Sequence, residues 1–196
     1  IYTSAGTACS LVLFSRENNT CLAEIKIPDH YRIGDVYAIV VYGLDDEDIE
    51  YGFKVDGPNA PELGYRFNSK NILMDPYAKV VSGRDVWGEE PDWSNPYQYR
   101  SRVAFDDFDW EGDHPLEIDD ADLVIYELHV RSFTKSETSN NKFKGTYAGI
   151  VEKIPYLKSL GINAVELMPV FEFDEFENSR IHPDTGERLY NYWGCL

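Results

Sequence analysis

The hydrophobic period of this chain changes twice along its length, which excludes a single repeating architecture. Between residues 8 and 80 the apolar residues come in short or alternating runs, ACSLVLFS, CLAEIKIP, YAIVVYG and EYGFKVDG, broken by Asn-Asn, Gly-Asp, Asp-Asp and Asp-Gly-Pro. That is the pattern of short strands joined by tight turns. In residues 50–56, Tyr51, Phe53 and Val55 share one face and Glu50, Lys54 and Asp56 the other, so one buried and one wet sheet face are expected. Four to seven such strands suit an immunoglobulin-like β-sandwich, with a small barrel as the other reading. A hairpin turning at Asn18-Asn19 sets Cys21 opposite Phe14 and leaves Cys9 far along the ladder.

Residues 82–122 lose all sustained periodicity and turn to Gly, Pro, Asp and aromatics. A solvated linker would not hold Trp87, Trp93, Tyr97, Tyr99, Phe105, Phe108 and Trp110, so the segment is expected to bury those rings along a domain seam. A row of sugar-stacking rings is the functional alternative.

Beyond residue 122 the texture is strand, helix, strand. Residues 123–130 form an apolar run of strand length, and residues 145–160 carry Ile150, Ile154 and Leu157 on one helical stripe. Thr146 is a candidate N-cap, Pro155 should break or restart the helix, and Lys158 with Gly161 marks its end. Residues 162–168 then make a second strand stopped by Pro169. This is a βαβ unit with parallel strands and a right-handed crossover. Two such strands and one helix cannot enclose a core, so the rest of an α/β domain is expected outside these 196 residues.

Composition narrows the partners. A net charge of −17 removes the basic footprint that nucleic acid or an anionic membrane requires, and no run approaches the roughly 20 apolar residues of a membrane helix. With 43% hydrophobic and 14% aromatic residues the chain is no disordered tail. Cys9, Cys21 and Cys195 have neither the number nor the spacing of a disulfide framework or a zinc cluster. The N-terminus lacks a basic region ahead of its apolar residues. A cytoplasmic protein with reduced thiols is expected.

Four ordered blocks carry a family resemblance: GYRFNSKNILMDPYAKVVSG (64–83), DLVIYELHVRSFT (122–134), KIPYLKSLGINAVELMPVFEFDE (153–175) and NYWG (191–194). Together they resemble the isoamylase and bacterial glycogen-debranching branch of the alpha-amylase superfamily, glycoside hydrolase family 13. The resemblance implies a β-sandwich of the family 48 carbohydrate-binding type over residues 1–105 and a linker at 106–121. It makes residues 122–196 the start of a catalytic (β/α)8 barrel that ends after its second strand. The activity implied is retaining hydrolysis of α-1,6 branch linkages in glycogen, amylopectin or limit dextrin. A non-catalytic α-glucan-binding module is the alternative, and a glycogen branching enzyme or a trehalose-releasing hydrolase shares the architecture.

A retaining glycosidase needs a nucleophilic carboxylate and an acid/base carboxylate about 5 Å apart. The resemblance puts both beyond the second strand, so this chain alone is expected to be inactive. Glu172, Asp174 and Glu175 are the candidate substitutes for that pair, but they lie on a loop after the second strand and a solvated acidic face is the preferred reading. No cofactor or metal is expected, the match to the calcium site of some isoamylases near Glu172 being partial.

Barrel enzymes work at the carboxyl ends of their strands, so loops 131–146 and 169–196 are the ones that could face substrate. Asn191, Tyr192 and Trp193 are the sugar-contact candidates, flat rings for the CH faces of glucose and an amide for its hydroxyls; packing of both rings under their own loop is the other reading. Where relatives place a Tyr after NYWG, this chain has Cys195 and then Leu196, and a thiol offers no such stacking surface. Glu127 and His129 on one face of the first strand could pose as an acid/base pair, and a buried hydrogen-bonded pair is preferred. Asp75-Pro76-Tyr77 reads as an anchor of the sheet edge, while Arg66 and Asp75 are either locally paired or available to glucan hydroxyls.

Overall fold

The computed structural model describes residues 1–84, 86–92, 94–95 and 99–192. The chain divides into two compact units, Ile1–Phe108 and Asp109–Leu196.

The first unit is built on a five-stranded antiparallel sheet. Its strands are β1 (Ala8–Ser15), β2 (Cys21–Lys26), β5 (Ile49–Asp56), β8 (Val80–Ser82) and β9 (Arg100–Arg102), in the order β2-β1-β5-β9-β8. Two short hairpins flank it, β3 (Arg32–Ile33) with β4 (Val36–Tyr37) and β6 (Asn59–Ala60) with β7 (Tyr65–Arg66). The β1–β2 turn is closed by Asn19, left-handed at φ 61°, a conformation Asn tolerates better than most residues. Its register sets Phe14 against Cys21, as the hairpin argument requires.

One sheet face holds the apolar core. Cys9, Ile27, Tyr37 and Val55 are buried there with Ile39, Phe53 and Phe67 packed around them. Burial pushes the Cys9 thiol above its ordinary pKa, because a thiolate would lose its hydration. Asp75 accepts from the Tyr51 hydroxyl (2.9 Å) and the Tyr77 amide (2.9 Å), and its own amide donates to Ser101 Oγ (2.9 Å). Asp75 is therefore tied to β5 and β9 inside the sheet, and its side chain is locally paired.

The opposite face corrects an expectation. Alternation set Glu50 on a wet face, yet Glu50 is 2% exposed, beside Val12 and Phe14 at 1% each. The reason is long-range pairing. Tyr51 faces Ser101 across β5 and β9, and Ser82 faces Arg100 across β8 and β9, so Glu50, Ser82, Arg100 and Arg102 emerge on one side. Ser82 Oγ (2.6 Å) and Arg102 Nε (2.7 Å) donate to Glu50 Oε1. Arg100 Nη1 lies 3.1 Å from Oε2 as an ion pair but donates its hydrogen bond to Asn19 (2.8 Å), leaving Oε2 without one. The Arg100 guanidinium also lies 5.5 Å from the Phe14 ring centre.

The aromatic segment is a second correction. Trp87 (49%), Phe105 (73%), Phe108 (68%) and Trp110 (65%) are exposed on this chain. Among the described residues of this stretch β5 is met by β9, in register at Ser101, and 103–119 form no regular element, so Phe105, Phe108 and Trp110 lie off the ladder that organises burial. Trp93 and Tyr97 lie outside the described residues.

In the second unit β10 (Ile125–Leu128) pairs in parallel with β11 (Ala164–Leu167), and α1 (Val130–Lys135) and α2 (Tyr147–Ser159) lie between them in sequence. Asn163 extends this short ladder: its Oδ1 accepts from the Val124 amide (2.7 Å) and its Nδ2 donates to the Asp122 carbonyl (2.8 Å). Ile125, Tyr126, Val165 and Leu167 are each more than a third exposed, whereas Leu128 and Leu157 are buried. Thr146 caps α2 by accepting from the Gly149 amide (3.2 Å), and Gly161 ends the helix region in the left-handed conformation at φ 85°. Pro155 does not break α2, contrary to expectation. Proline there removes one donor, the one that would reach the Val151 carbonyl, and Val151 lies on an exposed flank of the helix.

The two helices meet through polar groups. Buried Thr134 accepts from the Gly145 amide (2.8 Å), and Asn141 Nδ2 donates to the Gly149 carbonyl (2.7 Å). A Cβ on Gly149 would collide with the Phe143 carbonyl and come within 2.8 Å of Thr134 Oγ1.

Three outcomes follow from this packing. Glu50→Ala leaves Arg100 buried beside no carboxylate and should lower urea-unfolding stability by about 3–5 kcal/mol; a loss under about 1 kcal/mol would show that the cluster is not a sealed ion pair. Gly149→Ala should destabilise by about 1–3 kcal/mol, opposite in sign to the gain of about 1 kcal/mol usual inside a helix. Tyr51 is raised from 10 to about 12, first by burial and then by its bond to the Asp75 carboxylate. Its neutral form is favoured in the fold, so its stabilisation is complete below pH 10 and lost as pH rises towards 12. The urea midpoint of the parent should therefore fall more steeply over that window than that of Tyr51→Phe.

Candidate functional site

Parallel strands present their carboxyl ends to one edge, where the loops that follow them can meet. Here β10 ends at Leu128 and runs straight into His129 and α1, while the loop after β11 returns at residues 174–192. The two meet around a cleft of about 550 Å³ lined by His129, Arg131, Ser132, Asn178, Arg180, Tyr190, Asn191 and Tyr192.

His129 is the junction. Its Nδ1 accepts from the Ser132 backbone N–H (3.2 Å), capping α1. A backbone N–H only donates, so Nδ1 is the acceptor and the hydrogen sits on Nε2, which lies 3.2 Å from the Tyr192 carbonyl. This corrects the buried Glu127–His129 pair. Glu127 is exposed, its backbone is in the ladder with β11, and its side chain has no hydrogen bond to His129, which has already left the strand to cap the helix. Period-two alternation puts both on one face only while the strand continues.

Two of the three sugar-contact candidates line the cleft. Tyr192 is 37% exposed, and the Arg131 guanidinium lies 4.8 Å from its ring centre. The Asn191 amide N–H donates to the Glu175 carbonyl (2.9 Å), and its side chain reaches the Asp174 carbonyl (3.4 Å). Its amide group is thus partly committed to its own loop. Trp193 and Cys195 fall outside the described residues.

The acidic run also differs from expectation. Glu172 is exposed, but Asp174 is half-buried and Glu175 is 6% exposed. The loop folds inward there: Phe176 is buried edge-to-face against Tyr190 (5.5 Å), and Asp174 Oδ1 accepts from the Phe176 amide (2.8 Å). A count of charges in a loop does not reveal which of them the neighbouring aromatics draw inside.

Arg131, Asn178 and Arg180 carry no signal of their own in the sequence. Ser132 three residues after His129 was the one available hint, the spacing of a cap and its partner. Among the described residues no group of His, Cys, Asp or Glu converges as a metal site, and the cleft lining carries no carboxylate. The lining brings together guanidinium, hydroxyl and amide groups, which can hydrogen-bond a ligand, and two tyrosine rings, which can stack on one. Among the described lining residues there is no carboxylate pair of the kind that glycosidic cleavage requires.

Known proteins match most of this chain. The family described as alpha amylase, catalytic domain, matches residues 127–182. Isoamylase 1, chloroplastic, of Arabidopsis thaliana is 42% identical over 194 residues, 97% of this chain and 25% of that protein. A glycogen debranching enzyme of Yersinia enterocolitica is 34% identical over 210 residues, 99% of this chain and 30% of that protein. Among solved structures, the type I pullulanase of Bacillus subtilis complexed with maltose superposes with a TM-score of 0.60 at 26% identity, covering 88% of this chain and 24% of that one. The chain thus spans about a quarter of the length of the curated relatives it matches.

Proposed function

We propose that this chain, a homologue of the isoamylases and glycogen debranching enzymes of the alpha-amylase superfamily, supplies the N-terminal unit and the opening of the catalytic barrel of a debranching glycoside hydrolase. The intact protein hydrolyses α-1,6 branch linkages of an α-glucan such as glycogen, amylopectin or limit dextrin, with retention. The observation that carries this is the 42% identity to an isoamylase across 97% of the chain. A cleft at the carboxyl ends of the parallel pair, where barrel enzymes bind substrate, supports it.

The finer architecture follows the same reading. Residues 1–105 are an immunoglobulin-like sandwich of the family 48 carbohydrate-binding type, 106–121 the linker, and 122–196 the first βαβ unit of a (β/α)8 barrel. Exposed apolar residues on β10 and β11 support this, since parallel strands are covered on both faces in finished folds. Asn191, Tyr192 and Trp193 meet glucose units, and the bond-breaking carboxylates lie on polypeptide beyond these 196 residues. The free thiols of Cys9 and Cys21 support a reducing compartment, the cytoplasm.

Reducing-end release and iodine staining of amylopectin test the reading. The intact protein should release linear chains and shift the iodine colour towards blue, while this 196-residue chain should give no turnover above blank. Turnover by the chain alone would mean that it holds its own carboxylate pair; an intact protein without turnover on any branched glucan would overturn the activity.

A further inference from the structure

A tyrosine that stacks on sugar binds best when its ring and backbone are already fixed, because freezing a mobile side chain on binding costs affinity. Tyr192 lies on a long irregular segment, with no strand or helix between Leu167 and itself. Two of the ties that reach it come from the segment that leaves β10. The planar Arg131 guanidinium takes a face of its ring at 4.8 Å, and His129 Nε2–H is directed at its carbonyl at 3.2 Å. His129 is itself locked, because the Ser132 N–H and hydroxyl (3.1 Å) both engage Nδ1. With each ring nitrogen engaged, His129 is poorly placed to exchange a proton with substrate.

We infer that His129 and Arg131 are positioning residues: together they hold Tyr192 as a preformed platform for a glucose unit of the branched glucan. The inference rests on the proposed sugar contact of Tyr192 and adds the device that sets its geometry. Arg131 acts through its flat fork, which a lysine cannot reproduce. His129 acts as a neutral two-ended clamp between α1 and the returning loop.

Steady-state kinetics of the intact protein on amylopectin test it, with thermal midpoints recorded for every variant. Tyr192→Ala should raise KM about tenfold. Arg131→Met and Arg131→Lys should each raise KM roughly threefold to fivefold with kcat within about twofold. His129→Ala should do the same, with His129→Gln, which keeps a donor, recovering part of the loss. The double variant Arg131→Met/Tyr192→Ala should be no worse than Tyr192→Ala alone, since the arginine works through the ring. Multiplying losses in the double variant, or full KM restoration by Arg131→Lys, would overturn the positioning role while leaving the sugar contact intact. An unchanged KM in Tyr192→Ala would sink the sugar contact and this inference together. If Arg131→Met fails to fold, Arg131→Lys and its double with Tyr192→Ala decide the question.

Discussion

Taking a carboxylate out of water costs several kcal/mol unless fixed partners replace its hydration. β5 does this with Glu50, at 2% exposure, and the partners are Ser82, Arg100 and Arg102 from the two strands at the far edge of the sheet. Only the register that aligns Tyr51 with Ser101 brings all four groups to one side. A slip by one residue would turn both arginines away and leave the buried charge alone, so the ion cluster selects the pairing of β5, β9 and β8 more than it adds net stability. The Arg100 contact to Asn19 extends this selection to the β1–β2 turn.

The second unit obeys the same constraint at smaller scale. Its strands are four residues each, and so short a ladder leaves polar groups at its ends that side chains must meet. Asn163 serves the amino ends of the parallel pair, and Thr134 and Asn141 serve the turn into α2. His129 serves the carboxyl end and tethers the loop that carries Tyr192. The cleft is therefore a by-product of finishing the backbone's hydrogen bonds: the group that caps α1 also sets where the aromatic ring stands.

Charge shows the same division of labour. The chain is strongly acidic overall, yet the cleft is lined by Arg131, Arg180, a histidine, amides and hydroxyls, with no carboxylate among the described lining residues. Such a lining offers hydrogen-bond donors and flat rings, which is compatible with the sugar-contact role proposed for it.

Local features were legible in the sequence because they depend on a few neighbouring residues. The Asn-Asn turn and the Phe14–Cys21 register, the Thr146 cap, the helix end at Gly161, the local pairing of Asp75 and the family blocks all belong here. Tertiary structure decided what covers each face and which groups meet across distance. Glu50 and Glu175 stand where local pattern alone expects a wet residue, yet both are buried: strands distant in sequence close over Glu50, and the loop folds inward at Glu175 beside Phe176. Pro155 was read as a break and is carried inside α2. His129 was read as a strand residue and is a cap, because the strand ends one residue before it. Periodicity records which side of an element a residue is on; burial and function depend on what arrives at that side.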